Sequence, residues 1–243
     1  FAQPDKVRIT DLALDLAVDF DKRQLAGSAT LTLAWADKDH RDLVLDTRDL
    51  AIGAVEARSG KRKFRPVDFT LAARDERFGS KLTITLPRQY EQVRITYATS
   101  PQASGLQWLS PAMTAGGKTP FMFSQSQAIH ARSWVPLQDT PSVRFTYSAR
   151  IRTPADVMVL MSADNDPAAP RDGDYTFTMP QAIPSYLMAI AAGDLAFKPI
   201  SERAGVWAEP RTLDRAVKEF ADTEKMIQVT EKLYGDYRWG RYD

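Results

Sequence analysis

The 243-residue chain contains no cysteine and only two histidines, His40 and His130. Without cysteine, disulfide bridges, thiolate metal sites and cysteine nucleophiles are all excluded. The two histidines stand 90 positions apart, and no H-E-x-x-H can be written anywhere. A zinc hydrolase site commonly draws on two or three histidines, so this chain cannot build one from its own residues. No apolar run approaches the roughly 18–20 residues of a membrane-spanning helix, and no signal-type apolar region opens the sequence. An excess of one charge is missing too, with 32 Lys+Arg against 31 Asp+Glu and a formal net charge of +1. That near-balance argues against nucleic acid or a membrane surface as the main partner. What remains is ordinary globular composition, 44% hydrophobic and 26% charged. A chain of this length buries about 70% of its unfolded surface, so a core can form without staples.

From Val7 to Tyr186 the hydrophobic pattern has period two. Leu12, Leu14, Leu16 and Val18 alternate with polar or small residues, and after Asp19-Phe20-Asp21-Lys22 the series Leu25, Ala29, Leu31, Leu33 and Trp35 does the same. Two such runs around a short polar link predict a hairpin with one buried face. Further strands are predicted at 43–45, 50–55, 64–71, 81–86, 92–98, 121–127, 143–151, 157–162, 175–179 and 186–192. Pro87, Pro101, Gly116-Gly117, Pro154 and Gly173 punctuate the gaps. Many short strands without intervening helices imply antiparallel sheets, packed as a sandwich or as a curved, saddle-like layer.

The period changes near Gly205. Leu213, Val217, Phe220 and Ile227 fall on one helical stripe, and Met226, Val229 and Leu233 continue on an adjacent one, so the apolar face shifts near Glu224. Pro210 suits a first helical turn and Gly235 a helix end. The sequence therefore divides into a β domain over 1–206 and a helical segment over 207–243. A single helix cannot form a domain, so it reads as the opening of a second domain or as a helix docked on the β layer.

Three features invite functional readings of their own. The run Lys61-Arg62-Lys63-Phe64-Arg65 reads as a solvated hairpin flank, because no second basic run accompanies it. The carboxylates of Asp164-Asn165-Asp166 and Asp172-Gly173-Asp174 stand at spacings reminiscent of calcium loops, but without the D-x-D-x-D-G order or a closing Glu. Trp108, Trp134, Trp207 and Trp239 raise a carbohydrate-binding sandwich, although they are not spaced along one strand face.

Phe121-Met122-Phe123-Ser124-Gln125-Ser126-Gln127-Ala128-Ile129-His130 is the most unusual stretch. In an extended chain Phe121, Phe123, Gln125 and Gln127 share one side. Two primary amides beside two rings can donate and accept hydrogen bonds next to an apolar wall. The same residues also suit the wet end of a half-buried strand, and His130, with no partner histidine, suits a structural role.

The segment from Phe123 to Arg132, together with Gln138-Asp139-Thr140-Pro141-Ser142-Val143, resembles the leukotriene A4 hydrolase-like bacterial branch of the aminopeptidase N family of zinc peptidases. Leu43–Leu50, Leu106–Pro111, Leu160–Ala163, Ile183–Leu187 and the terminal Trp239–Asp243 match in the same order, so the resemblance covers nearly the whole chain. It implies a saddle-shaped all-β domain, followed by the first helix of a truncated thermolysin-like catalytic domain. It further implies that Gln125, Ser126 and Gln127 form the substrate-binding segment that reaches into the cleft and holds the free α-ammonium of a peptide. The zinc ion, its ligands and the catalytic groups would belong to the full-length enzyme, leaving this chain inactive alone. Its expected partners are the peptide N-terminus and its own catalytic domain. Ser126, where the family has a cysteine, is expected to face the opposite side. The rival reading is an autonomous β-sandwich binding or adaptor module. The compartment, periplasm or cytoplasm, is left open.

Overall fold

The computed structural model describes all 243 residues. Its β part begins with the hairpin that the alternation predicts, β1 (Val7–Asp19) and β2 (Gln24–Trp35). The buried phase of β1 switches along its length: Val7 and Ile9 face inward, then Leu12, Leu14, Leu16 and Val18. A bulge between Ile9 and Asp11 absorbs the extra residue, which lets one strand keep both apolar sets on the same side.

The chain continues through β3 (Asp42–Thr47), β4 (Ala51–Arg58), β5 (Arg65–Pro66), β6 (Asp68–Leu71), β7 (Ser80–Thr85) and β8 (Gln92–Ala98). Then come β9 (Leu106–Leu109), β10 (Phe121–Ser124), β11 (Arg144–Arg152), β12 (Met158–Met161) and β13 (Asp174–Pro184). Finally β14 (Ile190–Gly193) leads to the hairpin of β15 (Ala196–Pro199) and β16 (Gly205–Ala208). The main sheet has seven strands in the order β13-β11-β1-β2-β8-β4-β5. A four-stranded sheet runs β12-β14-β10-β9, a three-stranded one β3-β7-β6, and β15 pairs with β16 alone. Side chains from the first three sheets meet in one continuous hydrophobic core, with Trp134, Tyr147 and Phe145 its bulkiest fully buried members.

The expected architecture, mainly β with antiparallel sheets and a helical C-terminal part, is what the structure has. One pairing differs: β1 and β11 run parallel, from Asp11↔Thr146 to Ala17↔Arg152. More than a hundred residues of intervening chain make the crossover that a parallel pair needs. Residues 206 and 207, between which the sequence suggested a boundary, lie inside β16.

The helical stretch is two helices rather than one, α1 (Pro210–Glu219) and α2 (Thr223–Tyr234). The break falls at Phe220–Asp222, where the Phe220 carbonyl accepts both the backbone N–H and the hydroxyl of Thr223. This is the physical origin of the shift in apolar stripe. α1 packs on the β15–β16 hairpin. α2 buries Ile227 but leaves Met226, Val229, Leu233 and Tyr234 in solvent, Met226 at 66% and Tyr234 at 83% exposure. Between α2 and the segment 235–242 lies a groove of about 650 Å³, lined by Phe220, Met226, Ile227, Tyr234 and Trp239 among others. No helix is long and apolar enough to cross a membrane.

A single guanidinium pins α2 to the hairpin loop. Arg203 donates to Glu231 at 2.6 and 2.7 Å and to Glu224 at 3.1 and 3.3 Å. Beside it, and with the Tyr237 N–H as second donor, the Glu231 carboxyl is held down to about 2. A lowered folded value means that this attachment is complete above the ordinary carboxylate range. It is lost as pH falls from about 4.5 through about 2. Amide exchange across 223–234 should therefore accelerate in strong acid. In Arg203→Ala it should be fast already at neutral pH, with the β sheets unchanged. Equal protection of α2 in both proteins at neutral pH would show that the clasp does not hold it.

Candidate functional site

β10 ends at Ser124, and the chain leaves it in a turn instead of extending the strand to Gln127. Gln125 opens this segment with its N–H on the Gly105 carbonyl at 2.9 Å, and the His130 N–H closes it on the Ser126 carbonyl at 2.8 Å. Gln125 and Gln127 both stand in solvent, beside the partly exposed Phe123. The Gln125 side-chain oxygen accepts the Gln127 backbone N–H at 3.0 Å, which ties the two residues to each other. The Gln127 amide itself points outward without a partner in the chain. The peptide bond from Gln127 to Ala128 is cis.

Ser126 lies between them and is turned inward, at 2% exposure. Its hydroxyl donates to the Met188 carbonyl at 2.7 Å and accepts from the Trp134 indole N–H at 3.1 Å. The inward orientation is the one its position predicted. It leaves Ser126, expected with Gln125 and Gln127 to bind substrate, as the anchor of the turn, and only the two glutamines facing solvent. Trp134 is fully buried, so the anchor is rooted in the core.

A second set of bonds holds the far end of the turn. The His130 Nδ1 lies 2.8 Å from the Ser104 hydroxyl and 3.2 Å from Arg48 Nη1, and Arg48 also donates to Ser104 at 3.0 Å. The His130 carbonyl accepts from the backbone and hydroxyl of Ser133. Gly105 passes so close that a Cβ there would lie 2.6 Å from the His130 carbonyl oxygen, a separation only glycine allows.

Behind the turn sits a buried polar cluster that the sequence reading did not assemble. Arg132 Nε donates to Asp139 Oδ2 at 2.9 Å, and its Nη atoms donate to the Asp139 and Phe78 carbonyls. The other Asp139 oxygen accepts from Ser185 at 2.6 Å, and Asp46 accepts the Asp139 N–H at 2.9 Å. Gln138 is fully buried. Its amide completes the free edge of β1, accepting from Ile9 N–H at 2.9 Å and donating to the Val7 carbonyl at 2.8 Å. These residues come from four resemblance segments (Asp46 and Arg48 from one, Arg132, Asp139 and Ser185 from one each), so segments far apart in sequence meet around one turn. The signal was present in the sequence, but as separate motifs without coordinates to join them.

Ahead of β10, the loop 110–120 is tied to the start of α1. The two Glu209 carboxylate oxygens accept the Ala115 and Gly116 N–H groups at 3.0 and 3.1 Å. The N–H groups of a glycine-containing loop thus serve as a receptor for the chain's own carboxylate.

The competing sequence features are placed elsewhere. Asp166 and Asp172 cap local turns, Asn165 bonds the Met161 backbone, and Asp174 pairs with Arg150 at 2.5 Å. Lys61, Arg62 and Lys63 sit on an exposed turn, next to Phe64, whose ring meets the guanidinium groups of Arg58 and Arg94. Trp134 is in the core, Trp108 meets Phe20 edge-on, Trp207 packs on Phe197, and Trp239 lines the α2 groove, so the tryptophans form no common platform. No group of three or more His, Asp or Glu side chains is arranged to hold a metal ion.

The model of the peptidase M1 N-terminal domain matches residues 6–187. Leukotriene A-4 hydrolase of Xenopus laevis is 41% identical over 253 residues, an alignment that takes in 100% of this chain and 41% of the relative. Leucine aminopeptidase 2 of Yarrowia lipolytica is 42% identical over 241 residues, covering 96% of this chain and 36% of the relative. The structure of yeast LTA4 hydrolase in complex with bestatin superimposes with a TM-score of 0.90 at 35% identity, over 100% of this chain and 38% of that one. An M1 zinc metallopeptidase from Deinococcus radiodurans shares the fold, with a TM-score of 0.78 at 21% identity, over 99% of this chain and 56% of that one. The chain thus spans about two fifths of the length of the curated relatives it matches.

Proposed function

The chain belongs to the peptidase M1 family, as its N-terminal domain, and from that premise we propose that it supplies the amine-binding edge of a zinc aminopeptidase cleft. The observation that carries this reading is the presentation of Gln125 and Gln127: two outward amides on a turn anchored from behind by Ser126, Trp134 and His130. An aminopeptidase removes one residue at a time by holding the substrate α-ammonium at a fixed distance from the scissile bond. An amide oxygen can accept N⁺–H hydrogen bonds, and the charge makes each stronger than a neutral pair. A ligand held by a rigid turn keeps that distance constant. This chain's contribution is therefore to bind and orient the peptide end.

Zinc in such an enzyme would polarise the scissile carbonyl and activate water. With two histidines and no cluster of potential ligands, this chain does not fit that ion. The ligands and the catalytic groups belong, on this proposal, to the part of the longer protein outside the 243 residues. The division expected at 206/207 falls inside β16, so on this proposal the catalytic domain starts after that strand, where α1 begins at Pro210. That domain also covers the exposed apolar face of α2, since a soluble protein seldom leaves a large contiguous apolar patch in water.

The test compares the full-length protein with the 243-residue chain on aminoacyl-anilides. The full-length protein is expected to retain zinc and to cleave substrates with a free amine but not their N-acetylated forms. The 243-residue chain is expected to hold no stoichiometric zinc and to show no turnover. Turnover by the short chain, with zinc held through dialysis against a weak chelator, would overturn the assignment of the ligands. Equal cleavage of acetylated substrates by the full-length protein would overturn the amine-binding role.

A further inference from the structure

His130 sits at the meeting point of three segments. Arg48, just beyond β3, and Ser104, in the loop before β9, both approach its Nδ1, and its backbone closes the turn that presents Gln127. A guanidinium has only donors to offer. Nδ1 therefore accepts, and the imidazole is neutral with its proton on Nε2. The Ser104 hydroxyl accepts from Arg48 and can pass its own proton toward Nδ1, which closes a three-membered ring of hydrogen bonds. Arg48 cannot swing aside freely, because Nη2 is bonded to the Arg77 carbonyl at 2.6 Å.

We propose that His130 is a positioning residue for peptide binding: as a neutral acceptor for Arg48 and Ser104 it fixes the turn bearing Gln127, and its protonation releases that turn. The proposal rests on the reading of Gln127 as the ligand of the substrate ammonium. A proton on Nδ1 would face two donors, one of them cationic. The charged groups around the ring are Arg48, Arg132 and Asp139. Asp139 opposes the two cations, but its oxygens are already engaged by Arg132 and Ser185. Burial first, and Arg48 second, push the imidazole below its ordinary value of 6.5. A lowered folded value favours the neutral ring, so the anchored turn is complete above the ordinary histidine value and is lost as pH falls through the lower one.

The experiment measures KM and kcat separately for the full-length enzyme on an aminoacyl-anilide, from about pH 7 to about pH 5. Over that range the substrate amine stays mostly protonated. The wild-type KM is expected to rise toward the acid end, approaching about tenfold as the ring becomes fully protonated, the order of one lost charge-assisted hydrogen bond. His130→Asn places an amide near the Nδ1 position, keeps an acceptor for Arg48 and Ser104, and cannot gain a proton. Its KM should lose the acid limb, while the acid limb of kcat, set by other groups, stays as in wild type. His130→Phe offers no acceptor and should show a raised KM at every pH. An identical acid limb of KM in wild type and His130→Asn, or no acid limb in wild type, would overturn the proposal. Gln127→Ala, measured alongside, separates the two levels. An unchanged KM there removes the amine-binding reading itself. A raised KM there, with identical pH profiles for wild type and His130→Asn, removes only the role of His130.

Discussion

Replacing Gln127 by alanine in the full-length enzyme is expected to lower kcat/KM on free-amine substrates by roughly one to two orders of magnitude. The figure follows from one hydrogen bond to a charged group, about 1.5–3 kcal/mol, at about 1.4 kcal/mol per decade of rate. Gln127 is the residue to bear that loss because its amide stands in solvent without a partner in the chain. Zinc content should not change, since no metal-ligand cluster lies in this part of the protein. Gln127→Glu should be milder, because a carboxylate is the better partner for an ammonium. Gln125→Ala should cost less than Gln127→Ala: its oxygen already accepts the Gln127 N–H, so it orients its neighbour as well as facing solvent. Steady-state kinetics on a series of dipeptides with different first residues checks these expectations. An unchanged kcat/KM in Gln127→Ala would return both glutamines to a structural role.

The strands of the main sheet were legible because one face of each is buried, and burial on one face writes itself as alternation. β1 and β2 are the clearest case, and β8 and β11 follow the same rule. β9, β15 and β16 were not legible: each is short and shows no clean alternation of buried and exposed residues. Pairing between distant strands leaves no local trace either, which is why the parallel contact of β1 with β11 came only with the coordinates. The change to a helical period was legible, but the stripe was not: Phe220, placed on it, lies in the break between two helices, and the shift near Glu224 comes from that break.

The candidate site divides in the same way. Gln125 and Gln127 stood out as amides in an apolar, β-like context, and alternation put them on one side. The turn that presents them depends on Ser126, His130 and Gly105 bonding to groups 20 to 82 residues away, among them Met188, Ser104 and Arg48. Neither period nor spacing reports such contacts. Gln138 shows the converse. In sequence it is another polar residue beside a proline-containing turn, yet it works as a piece of strand, because β1 near Val7 and Ile9 has no β11 partner.

The largest effect on stability is expected from Arg132→Ala. The Arg132 side chain is 5% exposed and that of Asp139 is fully buried, so water cannot replace the guanidinium when it is removed. The Asp139 carboxylate would keep its Ser185 bond but lose its counter-charge, and the Phe78 and Asp139 carbonyls would lose their donors. Removing one partner of a buried pair costs about 3–5 kcal/mol, because the remaining charge is left uncompensated. Asp139→Asn on its own should also destabilise, since it takes from the buried Arg132 guanidinium the carboxylate it pairs with at 2.9 Å. In the double variant the penalties should not add, because the residual charge that dominates the Arg132→Ala loss is gone. A coupling of about 0.5–3 kcal/mol is the range for residues in direct contact. Urea unfolding of the 243-residue chain, followed by tryptophan fluorescence, measures all three variants against wild type. A loss below about 1 kcal/mol for Arg132→Ala, or strict additivity in the double variant, would mean the cluster is wetter than its geometry shows. The consequence reaches the site, because Arg132 follows His130 in the 3₁₀ turn Ala131–Ser133 and its carbonyl accepts the Arg48 N–H at 2.8 Å. The cluster that carries this stability also sets the floor on which the Gln127 turn rests.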